Sequence, residues 1–211
     1  MRAPPGIMLL AVVGVLLAAA VPAEAQRAAA GPPDWPCVQR LIPELAWGTL
    51  WTGPSPEALE QPWWEDEAVG RVVRFATARD TPREAALARV RAFVAEVSEA
   101  PEAEREQRLT RLFAGLFERI NRERSRTIER IRSAARGQMA RLERLAALVD
   151  ELEAARADDA GSDEIERLEQ ALYWERLTFQ RRQQSLPALC EKPYLLEEEL
   201  SRMVRAIRNA L

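Results

Sequence analysis

The sequence predicts an all-α protein: a helical bundle with a long antiparallel, coiled-coil-like hairpin, preceded by an irregular segment rich in tryptophan and proline. Three observations predict it. From about residue 65 onward, apolar side chains recur at three- and four-residue spacing. Helix-start signals open these runs, because Thr81-Pro82-Arg83-Glu84 has the form of a capping box with proline at the first helical position, and Pro101 opens a longer element. Two heptad positions are then sustained, one through Ile128, Ala135, Leu142 and Val149, the other through Ile131, Gln138, Leu145 and Leu152.

The first residues read as a secretory signal. Arg2 supplies the positive charge, Ile7 to Val21 the apolar run, and Pro22 its end. Ala23 and Ala25 place small residues at −3 and −1, which predicts cleavage after Ala25 and export to the periplasm. A membrane-spanning helix needs ~20 apolar residues, and this run is shorter. No cysteine sits at its end, as a lipoprotein would need. Removing residues 1–25 leaves 186 of 211, the size of one ordinary domain.

Residues 26–36, rich in Ala, Gly and Pro, predict a flexible lead-in, and 37–211 a single helical domain. Between 37 and 64, prolines alternate with Trp47, Trp51, Trp63 and Trp64, which predicts irregular structure. Ser55 as N-cap and Pro56 after it predict one short helical turn at 56–60. The tryptophans are expected to anchor this segment on the helices, with a sugar-binding platform as the alternative.

The helices follow in order. Val69, Val72, Val73 and Ala76 make one face of a helix over 65–79. Leu87, Val90, Val94 and Val97 make a second over 82–98. The third runs over 101–156, with a broad stripe from Leu109 to Ile120 and the heptads beyond it. The two patterns differ in phase, which predicts a stutter or kink at 121–127. Residues 156–162 form the turn, and Ile165, Leu168, Leu172, Phe179 and Leu186 mark the returning helix. Pro187 and Pro193 are expected to break the chain and to separate the hairpin, about 101–189, from a C-terminal helix at about 194–210. That last helix carries Glu197, Glu198 and Glu199 first and Arg202, Arg205 and Arg208 later, which suits the helix dipole. At 1.5 Å per residue the long helix would reach ~84 Å and its partner ~40 Å, so a compact bundle at one end with a projecting hairpin is expected.

Composition narrows the function. The formal charge of −3 gives no support to bulk nucleic-acid binding. Arginine supplies nearly all the positive charge, Lys192 being the single lysine. The two cysteines, Cys37 and Cys190, predict a structural disulfide in an exported chain, since no C-x-x-C or ligand cluster points to redox or metal chemistry. The chain has no histidine, which removes Ser-His-Asp and Cys-His nucleophile systems, His-rich zinc sites and Glu-x-x-His di-iron sites. A carboxylate pair of the glycosidase kind is the catalytic chemistry left open.

Charge is placed unevenly along the hairpin. Glu118 to Arg136 holds seven arginines and three glutamates, whereas Asp150 to Glu169 holds nine acids and two arginines. The acidic tip, with Asp158, Asp159 and Asp163, is read either as a solvated surface or as a docking surface for a basic partner or metal ions. Arg124 falls near the core phase, between Ile120 and Ile128. It is read either as a snorkelling or locally paired arginine, with Glu123 a candidate partner, or as a buried polar latch that fixes register.

Asp34-Trp35-Pro36-Cys37-Val38-Gln39, Pro62-Trp63-Trp64 and Leu112-Phe113-Ala114-Gly115-Leu116-Phe117-Glu118 together resemble a set of uncharacterised, signal-bearing helical proteins of proteobacteria. The resemblance implies a periplasmic location and no particular activity. The whole reading predicts a non-catalytic periplasmic interaction protein, an adaptor, chaperone-like or scaffold factor, without cofactor or metal. Its expected partner is another envelope protein or a second copy of the chain. The alternatives are a carboxylate-dependent envelope enzyme acting on glycans, and a structural protein that self-associates through the hairpin.

Overall fold

A computed structural model describes residues 31–211. The expected signal, its cleavage after Ala25 and the first part of the lead-in lie outside the described residues. Among the described residues the regular structure is all helical.

Residues 31–66 are irregular except for two short 3-10 turns, Trp47–Thr49 and Pro56–Ala58. The second starts as its sequence requires: Ser55 Oγ accepts the Glu57 N–H at 3.2 Å, and proline takes the first helical position. Helix α1, Glu67–Ala76, is capped by Asp66, whose Oδ1 accepts from the N–H groups of Ala68 and Val69 at 3.0 and 3.1 Å. Its buried face carries Val69, Val72, Val73 and Ala76, the four residues that the periodicity selects. Helix α2, Arg83–Ser98, starts without the expected capping box. The Pro82 carbonyl accepts from Ala86, no side chain caps the first turn, and Glu84 instead accepts from Arg202 at 2.7 Å.

Helix α3, Glu102–Ala157, runs unbroken through 121–127, so the phase change is absorbed without a break in helical structure. Helix α4 departs most from expectation. It is one helix, Ser162–Arg208, with Pro187 and Pro193 inside it, and no separate C-terminal helix exists. A proline removes one donor and crowds the carbonyl four residues back, at about 3 kcal/mol in a helix interior. Packing offsets this here. The segments before and after the prolines share α3 as their supporting surface, and Cys190, between the two prolines, is tied to Cys37.

α3 and α4 form an antiparallel pair along most of their length, and α1 and α2 pack on it at one end. The main core lies at that end. Trp51 stacks on Phe113 with ring centroids 4.3 Å apart, and Phe93, Leu109, Leu116, Leu200 and Ile207 are fully buried around them. Trp51 and Trp63 are core anchors, Trp47 is half-buried, and Trp64 is exposed. A second cluster joins Trp35 and Cys37 to Ile128 and Ile131, so the end of the lead-in is held by the fold. A third, near the tip, contains Leu148, Leu152, Leu168 and Leu172. Between the second and third clusters, 136–147 of α3 contains no fully buried side chain, and neither does 173–192 of α4.

Candidate functional site

The hairpin presents three zones, each built differently. At its base, the N-terminal segment is fastened into the angle between α3 and α4. Cys37 and Cys190 stand at disulfide distance, with Cα atoms 5.6 Å apart across 153 positions of sequence. Asp34 accepts from Arg132 Nε at 3.0 Å and from Arg136 at 2.8 Å. Partial burial pushes the Asp34 carboxyl up, but the hydrogen bonds and charges of the two arginines outweigh it and hold the group below its ordinary value. Arg124 lies within this base, 3% exposed. Its Nε donates to Glu197 on α4, and a terminal nitrogen donates to the Pro43 carbonyl at 3.2 Å. One side chain therefore joins α3, α4 and the N-terminal segment. Glu123 is not its partner. That carboxylate accepts from Arg79 at 3.4 Å and faces Arg130 at 3.6 Å.

The middle zone exposes four large apolar side chains among its charged ones. Met139 and Leu142 are 51% and 59% exposed, and Tyr173 and Trp174 60% and 61%. Arg141 pairs with Glu175, and Gln138 donates to the Phe179 carbonyl at 3.2 Å, so Leu142 and the two aromatic residues stand at one level of the hairpin. The Tyr173 and Trp174 rings meet edge to face at 5.2 Å. Leu142 was expected inside by its heptad position and stands exposed instead. Its line is buried at Ile128 and Ala135 and half-buried again at Val149, so the exposure is local: at this level the half-buried positions belong to the other line, Ile131, Gln138, Leu145 and Leu152, and α4 opposite contributes no fully buried side chain. Tyr173 and Trp174 carry a sequence signal of their own: both fall outside the Ile165, Leu168, Leu172, Phe179 stripe.

The tip is acidic. Asp158, Asp159 and Asp163 are exposed on and beside the turn, with no ion pair among the described residues. Helix α3 ends with Ala160 N–H bonded to the Ala155 carbonyl at 2.9 Å, and Asp159 takes a left-handed conformation, φ 51°. The two arginines of the tip are occupied, Arg156 with Glu169 at 2.6 Å and Arg167 with Glu164 at 3.1 Å. Among the described residues no three His, Cys, Asp or Glu side chains are placed to hold a metal ion, so the tip presents a field rather than a coordination set.

The tryptophan segment uses its nearby acids structurally. Trp63 Nε1 donates to Glu118 at 2.8 Å, and Trp47 Nε1 to Glu57 at 3.2 Å. Glu118 also accepts from Arg122. No helix among the described residues is long and apolar enough to cross a membrane. The chain matches no protein-family model, no curated protein and no solved structure.

Proposed function

We propose that the chain is a non-catalytic interaction protein of the periplasm, an adaptor, chaperone-like or scaffold factor that docks an envelope protein along its hairpin. One observation carries this reading: the uncovered apolar middle, where Met139, Leu142, Tyr173 and Trp174 stand exposed on a stretch of paired helices without buried side chains. Single exposed apolar residues are ordinary, but Leu142, Tyr173 and Trp174 at one level of a two-helix arm, with Met139 one turn along α3, are a concentration of the kind that partners cover. The anchored base supports the arm, and the charged zones on either side would steer a partner into register. The disulfide pair fits an oxidising compartment. The glycan-enzyme alternative has less support, because the carboxylates beside the tryptophans are engaged separately as indole acceptors.

A second reading, self-association, is favoured by the order of charge. The acidic tip and the basic base lie at similar distances on opposite sides of Leu142: Asp158 and Arg126 are each sixteen residues away, about 24 Å along the helix. A two-fold axis through the apolar middle would set the tip of one copy against the base of the other. Sedimentation velocity of the mature protein at low and high salt tests it. A dimer that dissociates at high salt and in Leu142→Ser/Trp174→Ser supports self-association. A monomer under all conditions removes this reading and leaves a different envelope protein as the partner.

A further inference from the structure

The compact end carries a separate concave feature. The end of α1 and the turn after it, the start of α2, the middle of α3 and the part of α4 beyond Cys190 line an open cavity of about 350 Å³. That lies within the ~300–1,000 Å³ of small-molecule sites. Five cations line it, Arg79, Arg83, Arg119, Arg130 and Lys192, against two carboxylates, Glu123 and Glu199. A chain of formal charge −3 thus has a cavity with a net cationic lining, which includes its single lysine. The floor is apolar: Ala76 and Ile120 are buried there, and Leu195 and Leu196 are half-buried.

The cations differ in what already holds them. Arg79 and Arg130 share Glu123, at 3.4 and 3.6 Å, and Arg119 Nε donates to Thr77 Oγ1 at 2.7 Å. Each guanidinium has five N–H donors, so these contacts orient the groups and leave donors over. Arg83 and Lys192 form no ion pair among the described residues. Burial pushes the Glu199 carboxyl up, against the lowering effect of Arg83 and Arg202, so the one acid near the floor is the less comfortable as an anion. A neighbouring cavity of about 230 Å³ shares Arg79, Arg119 and Glu123 and adds Arg122 and Arg126, which extends the cationic rim.

We propose that this cavity binds an amphipathic organic anion, its phosphate, sulfate or carboxylate head held by the arginines and Lys192 and its short apolar body laid on Ile120, Leu195 and Leu196. Charged donors supply the attraction and the orientation, and the floor supplies the preference for a body over a bare ion. The site is independent of the hairpin's middle, so it stands or falls separately from the docking reading.

Isothermal titration of the mature protein with hexyl phosphate, inorganic phosphate and hexanol tests it. Hexyl phosphate is expected to saturate one site, with inorganic phosphate at least about ten-fold weaker and hexanol weaker still. Lys192→Gln and Arg83→Gln should each weaken hexyl phosphate about ten-fold, and Arg144→Gln on the hairpin should leave it unchanged. Leu195→Ser should reduce the preference for hexyl phosphate over inorganic phosphate without changing the latter. The replaced side chains are exposed or half-buried, and circular dichroism checks that each variant keeps its helices. Absence of saturation with hexyl phosphate overturns the proposal. So does equal affinity for inorganic phosphate, or an affinity unaltered in both cation variants.

Discussion

Gly115 lies on the buried side of α3, and a β-carbon there would stand 2.7 Å from Val73 Cγ2 and 2.8 Å from Trp63 Cδ2. Both neighbours are confined. Val73 is fully buried, and the Trp63 ring is tethered by its 2.8 Å hydrogen bond to Glu118, one turn along the same helix. Two effects of Gly115→Ala oppose each other. Alanine gains about 1 kcal/mol of helix propensity. Overpacking costs about 1–3 kcal/mol, and pushing the indole off Glu118 adds about 1 kcal/mol. The net expectation is a loss of about 1–3 kcal/mol, or roughly 2–4 °C in Tm for each kcal/mol at this chain length. Urea unfolding followed by far-ultraviolet circular dichroism measures it. In a Val73→Ala background the nearer contact is gone, so the penalty of Gly115→Ala should shrink by about 1 kcal/mol. An unchanged or higher midpoint for Gly115→Ala in the native background would refute the close packing of the tryptophan segment on α3.

Three further outcomes follow from the base of the hairpin. Cys190→Ser opens a loop spanning 153 positions and should lower stability by up to about 5 kcal/mol in the chain-entropy model, with helix content retained at low temperature by circular dichroism. Arg124→Ala leaves the Pro43 carbonyl and Glu197 without their donor. Glu197 is partly solvated, so the expected loss is about 2–3 kcal/mol, below that of a fully buried pair, read from chemical denaturation. Asp34 has a folded pKa below its unfolded value of 3.8, so its contribution is fully present above that value and disappears as pH falls through the folded one. Asp34→Asn should therefore speed hydrogen exchange around Trp35 at pH 7, with wild type and variant converging in stability as pH falls through the folded pKa, which lies below 3.8; a difference that stays constant into acid would remove Asp34 from the anchoring of the segment.

How much of this was legible depends on how local each cause is. The faces of α1, α2 and the first half of α3 follow from 3.6-residue spacing, because burial at Val69, Val73, Val90, Leu112 and Leu116 is one-sided. The disulfide follows from an even cysteine count in a chain read as exported. The prolines of α4 mislead because breaking is a local tendency, whereas continuity comes from α3 supporting both flanks. The Thr81 capping box fails for a similar reason: Glu84 meets Arg202, 118 positions away. Arg124 stands out by its phase, but its partners, Pro43 and Glu197, lie 81 and 73 positions away and leave no mark nearby. The exposed middle was hidden by the heptad template itself, which places Leu142 inside and says nothing of Tyr173 and Trp174. The cationic cavity gathers residues from all four helices and the turn after α1, which no motif links.

Docking through the hairpin is tested most directly by site-specific photo-crosslinking in the native envelope. A photoreactive residue is placed in turn at Leu142, at Trp174 and at Ala88, which is exposed on the far side of α2. Discrete adducts at 142 and 174 that are absent at 88, and that weaken when Asp158, Asp159 and Asp163 are changed together to asparagine, are the expected result. No adduct at 142 and 174, or the same products at all three positions, would contradict a partner covering the apolar middle of the arm.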